Sequence, residues 1–173
     1  YVQVLKDSFD LMDIATFEPD IIEAHLSVAV YLDVLGQTEK AIEQYEYILT
    51  IQPGHSVVLG NLAKIYVNTQ EYEKAEEYYK KIIEANPSFS QGYMDLADVY
   101  RAFMPEKKPE IPQLIEEILT ERPQSTNSML YLAEFYEQEK EYDLAIEWYQ
   151  KALDTNPDID MAKQAIEFIE NKQ

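Results

Sequence analysis

The sequence predicts an all-α chain built of antiparallel helix hairpins, and three observations carry that reading. Pro falls at Pro19, Pro53, Pro87, Pro123 and Pro157, at intervals of 34, 34, 36 and 34 residues, so one period organises the chain. Aligned on Pro53, Pro87 and Pro157, the segments Ala41-Ile42-Glu43-Gln44-Tyr45, Ala75-Glu76-Glu77-Tyr78-Tyr79 and Ala145-Ile146-Glu147-Trp148-Tyr149 superimpose, each Ala twelve residues before its Pro and four before an aromatic. Upstream, Asn61-Leu62-Ala63-Lys64-Ile65-Tyr66, Asp95-Leu96-Ala97-Asp98-Val99-Tyr100 and Tyr131-Leu132-Ala133-Glu134-Phe135-Tyr136 share Leu-Ala followed by Tyr.

Taken in order, residues 1–21 read as the second helix of a truncated unit and its turn, with 2–17 in the helix and Asp7 at the Ala position. Its Val4, Leu5, Phe9, Leu11, Met12 and Ile14 lack a hairpin partner, so an exposed apolar face and self-association through this helix are expected. Units follow at 22–55, 56–89, 90–125 and 126–158, with first helices at roughly 22–35, 56–69, 90–103 and 126–138 that turn Leu, Ala and Tyr toward the partner helix. Small residues at Ala41, Ala75 and Ala145 let the second helix approach, and the Pro at each period's end stops it. Gly36 marks an inter-helix turn, while Asn86-Pro87-Ser88 and Asn156-Pro157-Asp158 are expected to supply turn and N-cap side chains.

The 90–125 unit departs from the pattern. Ile111 holds its Ala position, Ile118 a later small position, and Met104-Pro105-Glu106-Lys107-Lys108-Pro109 takes a two-residue insertion. Pro112 is tolerable because it falls in the first turn of its helix. The bland reading is a worn repeat; the sharper one is a bend or docking loop. From 159 to 173 a last helix puts Ile159, Ala162, Ala165, Ile166 and Ile169 on one side, Met161 and Phe168 at its margin, and Lys163, Gln164, Glu167 and Glu170 on the other. That is the pattern of a capping helix that covers the core of a terminal repeat.

These residues resemble the tetratricopeptide repeat family, whose 34-residue unit reads W-x2-L-G-x2-Y, then A-x3-F, then P. The resemblance covers nearly the whole chain, so 1–173 reads as a single solenoid. It implies a right-handed superhelix whose first helices line a concave, partner-binding groove. By phase that groove should present Glu23, Leu26, Val30 and Asp33; Val57, Gly60, Asn61, Lys64, Val67 and Asn68; Gln91, Met94, Asp98 and Arg101; and Asn127, Leu130, Glu134 and Glu137. One subfamily clamps a chaperone's C-terminal carboxylate with Lys, Asn and Arg. Here the matching slots hold Leu26, Val30, Asn61, Gln91 and Asp95, so only Asn61 agrees and that function does not carry over. Asp95, Asp98, Glu134 and Glu137, flanked by Met94 and Leu130, instead suggest a basic or amphipathic helix or peptide, with Arg101 expected to meet Asp98 and either Glu134 or Glu137.

Composition narrows the classes of function. Fourteen Lys plus Arg against 33 Asp plus Glu give a net charge of −19, which repels phosphate backbones and anionic headgroups and so argues against nucleic acid and direct membrane contact. The absence of cysteine excludes disulfides and thiolate chemistry and leaves the compartment open, with cytoplasm the default. The chain starts with neither an initiator Met nor a signal-peptide head, so it reads as a piece that continues upstream. His25 reads as a packing residue, His55 as part of a turn, and neither belongs to a metal-ligand spacing. No phosphate-loop or hydrolase motif occurs, and helix-surface Glu is normally solvated, so neither enzyme activity nor a cofactor is expected. Most of the 14 Tyr, and Trp148, fall at packing positions. The expected function is a protein-interaction scaffold. The alternative is a regulatory or positioning domain of a larger enzyme or membrane-anchored protein, packing on its own chain or self-associating.

Overall fold

The computed structural model describes residues 21–172; the N-terminal helix expected at 2–17 lies outside them. The described residues form nine α-helices and no strand: α1 (Ile21–Val34), α2 (Thr38–Ile51), α3 (Ser56–Asn68), α4 (Tyr72–Ala85), α5 (Ser90–Phe103), α6 (Ile111–Glu121), α7 (Thr126–Gln138), α8 (Tyr142–Thr155) and α9 (Asp160–Glu170). Consecutive helices pair as hairpins, α1 with α2, α3 with α4, α5 with α6 and α7 with α8, and α9 packs on α8. The fold class is therefore the all-α, hairpin solenoid type that the period predicts. The chain divides into two compact units, Tyr1–Ala85 and Asn86–Gln173, where the repeat phase alone reads one solenoid. A repeat array has no common centre, so compactness is local to neighbouring hairpins.

Within the first unit, Val28, Ala29, Leu32, Ala41, Tyr45, Ile48, Val58, Leu62, Ile65, Tyr66 and Ala75 form one core, with Leu26 and Val67 packed against it. In the second unit, Ala133, Ala145, Tyr149, Ala162 and Ile169 gather a core that Leu130, Ile159, Ala165 and Ile166 cover from its edges. The small residues Ala41, Ala75 and Ala145 are fully buried, as helix-to-helix approach at those positions requires.

Three of the four hairpin turns share one geometry. Gly36 has φ 72°, Gln37 N–H donates to Leu32 O at 2.9 Å, and Gly36 N–H donates to Asp33 O at 2.9 Å. This is the six-to-one and five-to-two pattern that closes a helix with a left-handed residue. Gln70 and Lys140, both with φ 64°, make the same pair of bonds: Glu71 N–H to Tyr66 O and Gln70 N–H to Val67 O, then Glu141 N–H to Tyr136 O and Lys140 N–H to Glu137 O.

Three local expectations are corrected. The N-cap residues of α5 and α9 are Phe89 and Ile159, with no side-chain cap. The turn side chains are spent within the turn, where Asn86 Oδ1 accepts from Ser88 Oγ at 2.9 Å and Asn156 Oδ1 accepts from Asp158 N–H at 3.1 Å. His55 is a cap rather than only a turn residue, its Nδ1 accepting from Val58 N–H at 3.4 Å at the start of α3. Ile118 is no departure, because Ile48 and Ile82 hold the same phase and all three are buried. Ile111 does differ from the Ala at its slot and is fully buried. The inserted stretch before it is anchored: Met104 is buried, Lys108–Glu110 forms a 3-10 turn, and Lys108 Nζ lies 2.5 Å from Glu139.

Candidate functional site

The first helices of each unit present a polar face beside the buried Leu-Ala-Tyr face, because residues three, four and seven apart share one side of a helix. In the first unit this face joins α1 and α3. Glu23, Val30, Asp33, Val57, Lys64 and Asn68 are exposed, while Leu26, Gly60, Asn61 and Val67 are half-buried. Asn61 is tied down, its Nδ2 donating to Tyr45 Oη at 3.1 Å. Burial raises the Tyr45 phenol above its ordinary range, and the Asp33 charge adds to that shift. His25 packs as expected and is also satisfied: Nδ1 lies 2.7 Å from Gln44 Oε1, and its ring lies 4.3 Å from that of Tyr47.

In the second unit the face joins α5 and α7. Gln91, Asp98 and Asn127 are exposed, and Met94, Asp95, Arg101, Leu130, Glu134 and Glu137 are half-buried. Its acids are not equivalent. Asp95 Oδ1 accepts from Gln91 Nε2 at 2.7 Å. Asp98 Oδ1 accepts from Arg101 Nη2 at 2.5 Å and from Tyr131 Oη at 2.7 Å. Glu137 Oε2 accepts from Tyr149 Oη at 2.8 Å. Glu134, among the described residues, has no hydrogen bond or ion pair. Arg101 therefore meets Asp98 and the ring of Tyr131, 5.3 Å from its guanidinium carbon, rather than Glu134 or Glu137. A guanidinium over an aromatic face gains quadrupole attraction while keeping its hydrogen bond, so the nearer pair wins. Burial, together with the Asp98 carboxylate that accepts its hydrogen bond, holds the Tyr131 phenol well above the usual range; burial and Glu137 do the same for Tyr149.

A cleft of about 360 Å³ opens at the N-terminal ends of α5 and α7. It brings Gln91, Met94 and Asn127 together with Phe89, Ser90, Arg122, Gln124, Ser125 and Thr126. Phe89 is exposed, and Ser90 Oγ is buried without a hydrogen-bond partner. Phe89 and Arg122 were not among the sequence candidates because they sit in turns, which the helix phase does not reach. Tyr131 was legible: it stands eight residues after Pro123, as Asn61 does after Pro53 and Asp95 after Pro87.

No group of three or more His, Asp or Glu among the described residues is arranged to hold a metal ion. No helix among them is long and apolar enough to cross a membrane. The constellation offers hydrogen-bond acceptors, one stacked guanidinium and half-buried apolar side chains on paired helices, which is the equipment of a protein-interaction repeat. Residues 35–100 and residues 112–158 each match the tetratricopeptide repeat family, and the chain belongs to it. Among curated proteins, 51 residues are 45% identical to the uncharacterized protein ycf37 of Pyropia yezoensis, covering 30% of this chain and 29% of that one. An alignment of 172 residues is 23% identical to DnaJ homolog subfamily C member 3 of Rattus norvegicus, covering 91% of this chain and 34% of that protein. The chain thus spans about a third or less of the length of these relatives. Among solved structures it superposes on MamA with a TM-score of 0.65 at 16% identity, over 88% of this chain and 86% of that one. It superposes on a tetratricopeptide repeat protein from Parabacteroides merdae with a TM-score of 0.68 at 17% identity, over 99% of this chain and 67% of that one. At those identities the likeness is one of fold.

Proposed function

We propose that the chain is a non-catalytic scaffold that holds a basic or mixed basic and apolar helix or peptide on the first-helix face of its second unit. The observation that carries this reading is the pairing of α5 and α7. Half-buried Met94 and Leu130 offer apolar contact, and Glu134 keeps a carboxylate that no side chain of the unit neutralises. Asp95, Asp98 and Glu137 accept internal bonds, so the face reads a basic ligand mainly through Glu134 and through the surplus negative charge of the chain. The face is also electrically polar along its length. Arg122 and the positive ends of two helix dipoles lie at one end, and Glu134 and Glu137 at the other, which would orient a bound peptide.

Exposed ion pairs contribute about 0–1 kcal/mol each, so affinity would come chiefly from the apolar anchors and association rate from charge. The test is anisotropy of a labelled basic amphipathic peptide with a salt titration. Glu134→Lys should slow association and flatten the salt dependence, and Leu130→Asp should speed dissociation. A peptide indifferent to both changes would remove the site from this face. A second reading is favoured by the lengths of the curated relatives, of which this chain spans only a part: a positioning domain of a larger protein that packs on its own chain. Binding in trans by the isolated chain, lost when the flanking sequence of the full-length protein is restored, would select that reading.

A further inference from the structure

The cleft at the N-terminal ends of α5 and α7 is free of acid in an acidic chain. Of the 33 Asp and Glu, none lies between Asn86 and Met94 or between Arg122 and Ala133, and none lines the cleft. Helix dipoles favour an acid in the first turn, and the second helices α2, α4 and α8 supply one in Glu39, Glu73 and Asp143. The first helices α5 and α7 supply none, and neither Phe89 nor Ser125 caps its helix with a side chain. α3 also lacks an acid there but is capped by His55. Two sets of first-turn N–H groups therefore meet the cleft with neither an anion nor a side-chain cap.

The side chains that line the cleft add donors. Arg122 holds the slot before the repeat Pro, where Pro53, Pro87 and Pro157 follow the neutral Gln52, Asn86 and Asn156. Among the described residues Arg122 makes no hydrogen bond or ion pair through its side chain, whereas Lys74, Lys81 and Arg101 are each paired. Ser90 Oγ is buried and likewise has no partner. A buried hydroxyl is ordinarily bonded, and the chain itself offers this one no acceptor. Arg122 also suits the negative end of α6, after which it stands, but that leaves the acid-free rim and Ser90 unexplained.

We infer that this cleft is a carboxylate subsite of the binding face: Arg122, Ser90 and the uncapped ends of α5 and α7 take an Asp or Glu side chain of the partner, while Glu134 takes its Lys or Arg. This rests on the reading under Proposed function and adds a charge pattern to it. Asn127 in the cleft and Glu134 are seven residues apart, about 10 Å along α7, so the matching acid and base stand two turns apart on a bound helix. Phe89 and Met94 give the acidic end an apolar wall, against which a salt link is screened less than on open surface.

Three N-acetylated, C-amidated peptides of Leu and Lys test this by calorimetry on the full chain. One is all basic, and two isomers carry one Glu in place of a Lys, either at the end of the helix, two turns from the nearest Lys, or in the middle among the Lys. The end isomer should bind about tenfold more tightly than the middle isomer, although long-range charge treats them alike. Arg122→Gln places here the residue type that precedes Pro53, so the fold should hold; it should erase the preference and leave the all-basic peptide bound as well as before or better. Ser90→Ala should reduce the preference about threefold without lowering Tm, because the free chain loses no bond. A lower Tm with the preference intact would assign the hydroxyl to the turn and overturn its part. Equal affinity for the two isomers, or a preference that survives Arg122→Gln, overturns the subsite while binding of the all-basic peptide leaves the Glu134 reading standing. Absence of binding by all three peptides removes both. A free-acid form of the all-basic peptide tests the chain terminus, and a gain there that matches or exceeds the gain from Glu overturns the assignment to a side chain.

Discussion

The shared hairpin turn gives a sharp test of how sequence controls this fold. Three hairpins close through one left-handed residue, yet only the first uses glycine: Gly36 at φ 72°, against Gln70 and Lys140 at 64°. A residue with a Cβ in that region costs about 1–2 kcal/mol, whereas glycine enters it freely and loses about 0.4–1 kcal/mol more backbone entropy on folding. A Cβ added at Gly36 meets nothing within 4 Å, so Gly36→Ala isolates the backbone effect from any clash. Neither the Gln70 nor the Lys140 side chain has a hydrogen bond or ion pair among the described residues, so replacing them removes no contact. Gly36→Ala should therefore destabilise by about 0.5–1 kcal/mol, and Gln70→Gly and Lys140→Gly should each stabilise by a similar amount. For a chain of this length that is a shift of about 1–4 °C in Tm per site, read by circular dichroism, and the two gains should add because the turns lie in different units. If all three changes lower Tm alike, the turns are held by something other than φ and the argument fails.

Three other outcomes are expected. Ile111→Ala should cost about 2–5 kcal/mol in urea unfolding at unchanged slope, since Ile111 is fully buried where the other repeats have Ala; a cost below about 1 kcal/mol would mean that the hairpin can close onto the smaller residue. Deleting residues 159–173 should lower Tm and promote association by uncovering Ala133, Ala145 and Tyr149, and a stable monomeric truncation would refute the covering role of α9. Burial, with Tyr66 and Glu46 adding to it, pushes the Tyr78 phenol up to about 12, and Tyr131 and Tyr149 are also raised. Because these folded values exceed the unfolded one, their stabilisation is full below about pH 10 and is lost as pH rises through 10 toward 12. Phenolate absorbance should therefore rise late and together with unfolding, and early titration of every Tyr in a folded chain would contradict it.

The fold was legible because it is periodic. Pro spacing placed the hairpins, and Leu-Ala-Tyr placed their buried faces, since a repeated phase fixes which side of a helix is apolar without further knowledge. The same phase marked the face on which Asp98, Leu130 and Glu134 sit. What phase does not encode is which neighbour a polar side chain chooses. Arg101 meets Asp98 as its spacing predicts, but across the helices it stacks on Tyr131 rather than reaching Glu134 or Glu137, because a ring one register across offers both a quadrupole and a shared acceptor in Asp98. Tyr149, one of the repeat Tyr positions, is a packing residue with a hydroxyl, and a buried hydroxyl must find an acceptor, here Glu137. The cleft with Phe89 and Arg122 was hidden because turns carry no helical period.

Net charge alone would overstate the field that a ligand meets. Six bases on the described surface pair with an acid three or four residues away: Lys74 with Glu71, Lys80 with Glu76, Lys81 with Glu77, Lys151 with Glu147, Lys163 with Asp160 and Arg101 with Asp98. Such pairs three or four residues apart are worth a few tenths of a kcal/mol each and reach no partner. Their effect is to fix where positive charge sits, so that the surplus acids are left at the positions without a Lys or Arg one turn away. Glu134 is such a position, with Leu130 one turn before it and Gln138 one turn after. Beyond about 8–10 Å salt screens the remaining field, so a basic partner is drawn in by the whole chain but recognises only the few unneutralised carboxylates within contact range. Discrimination then falls to the apolar positions between them. A ligand matched in charge but lacking a nonpolar side would associate quickly and leave quickly, and one matched in both would differ mainly in how long it stays.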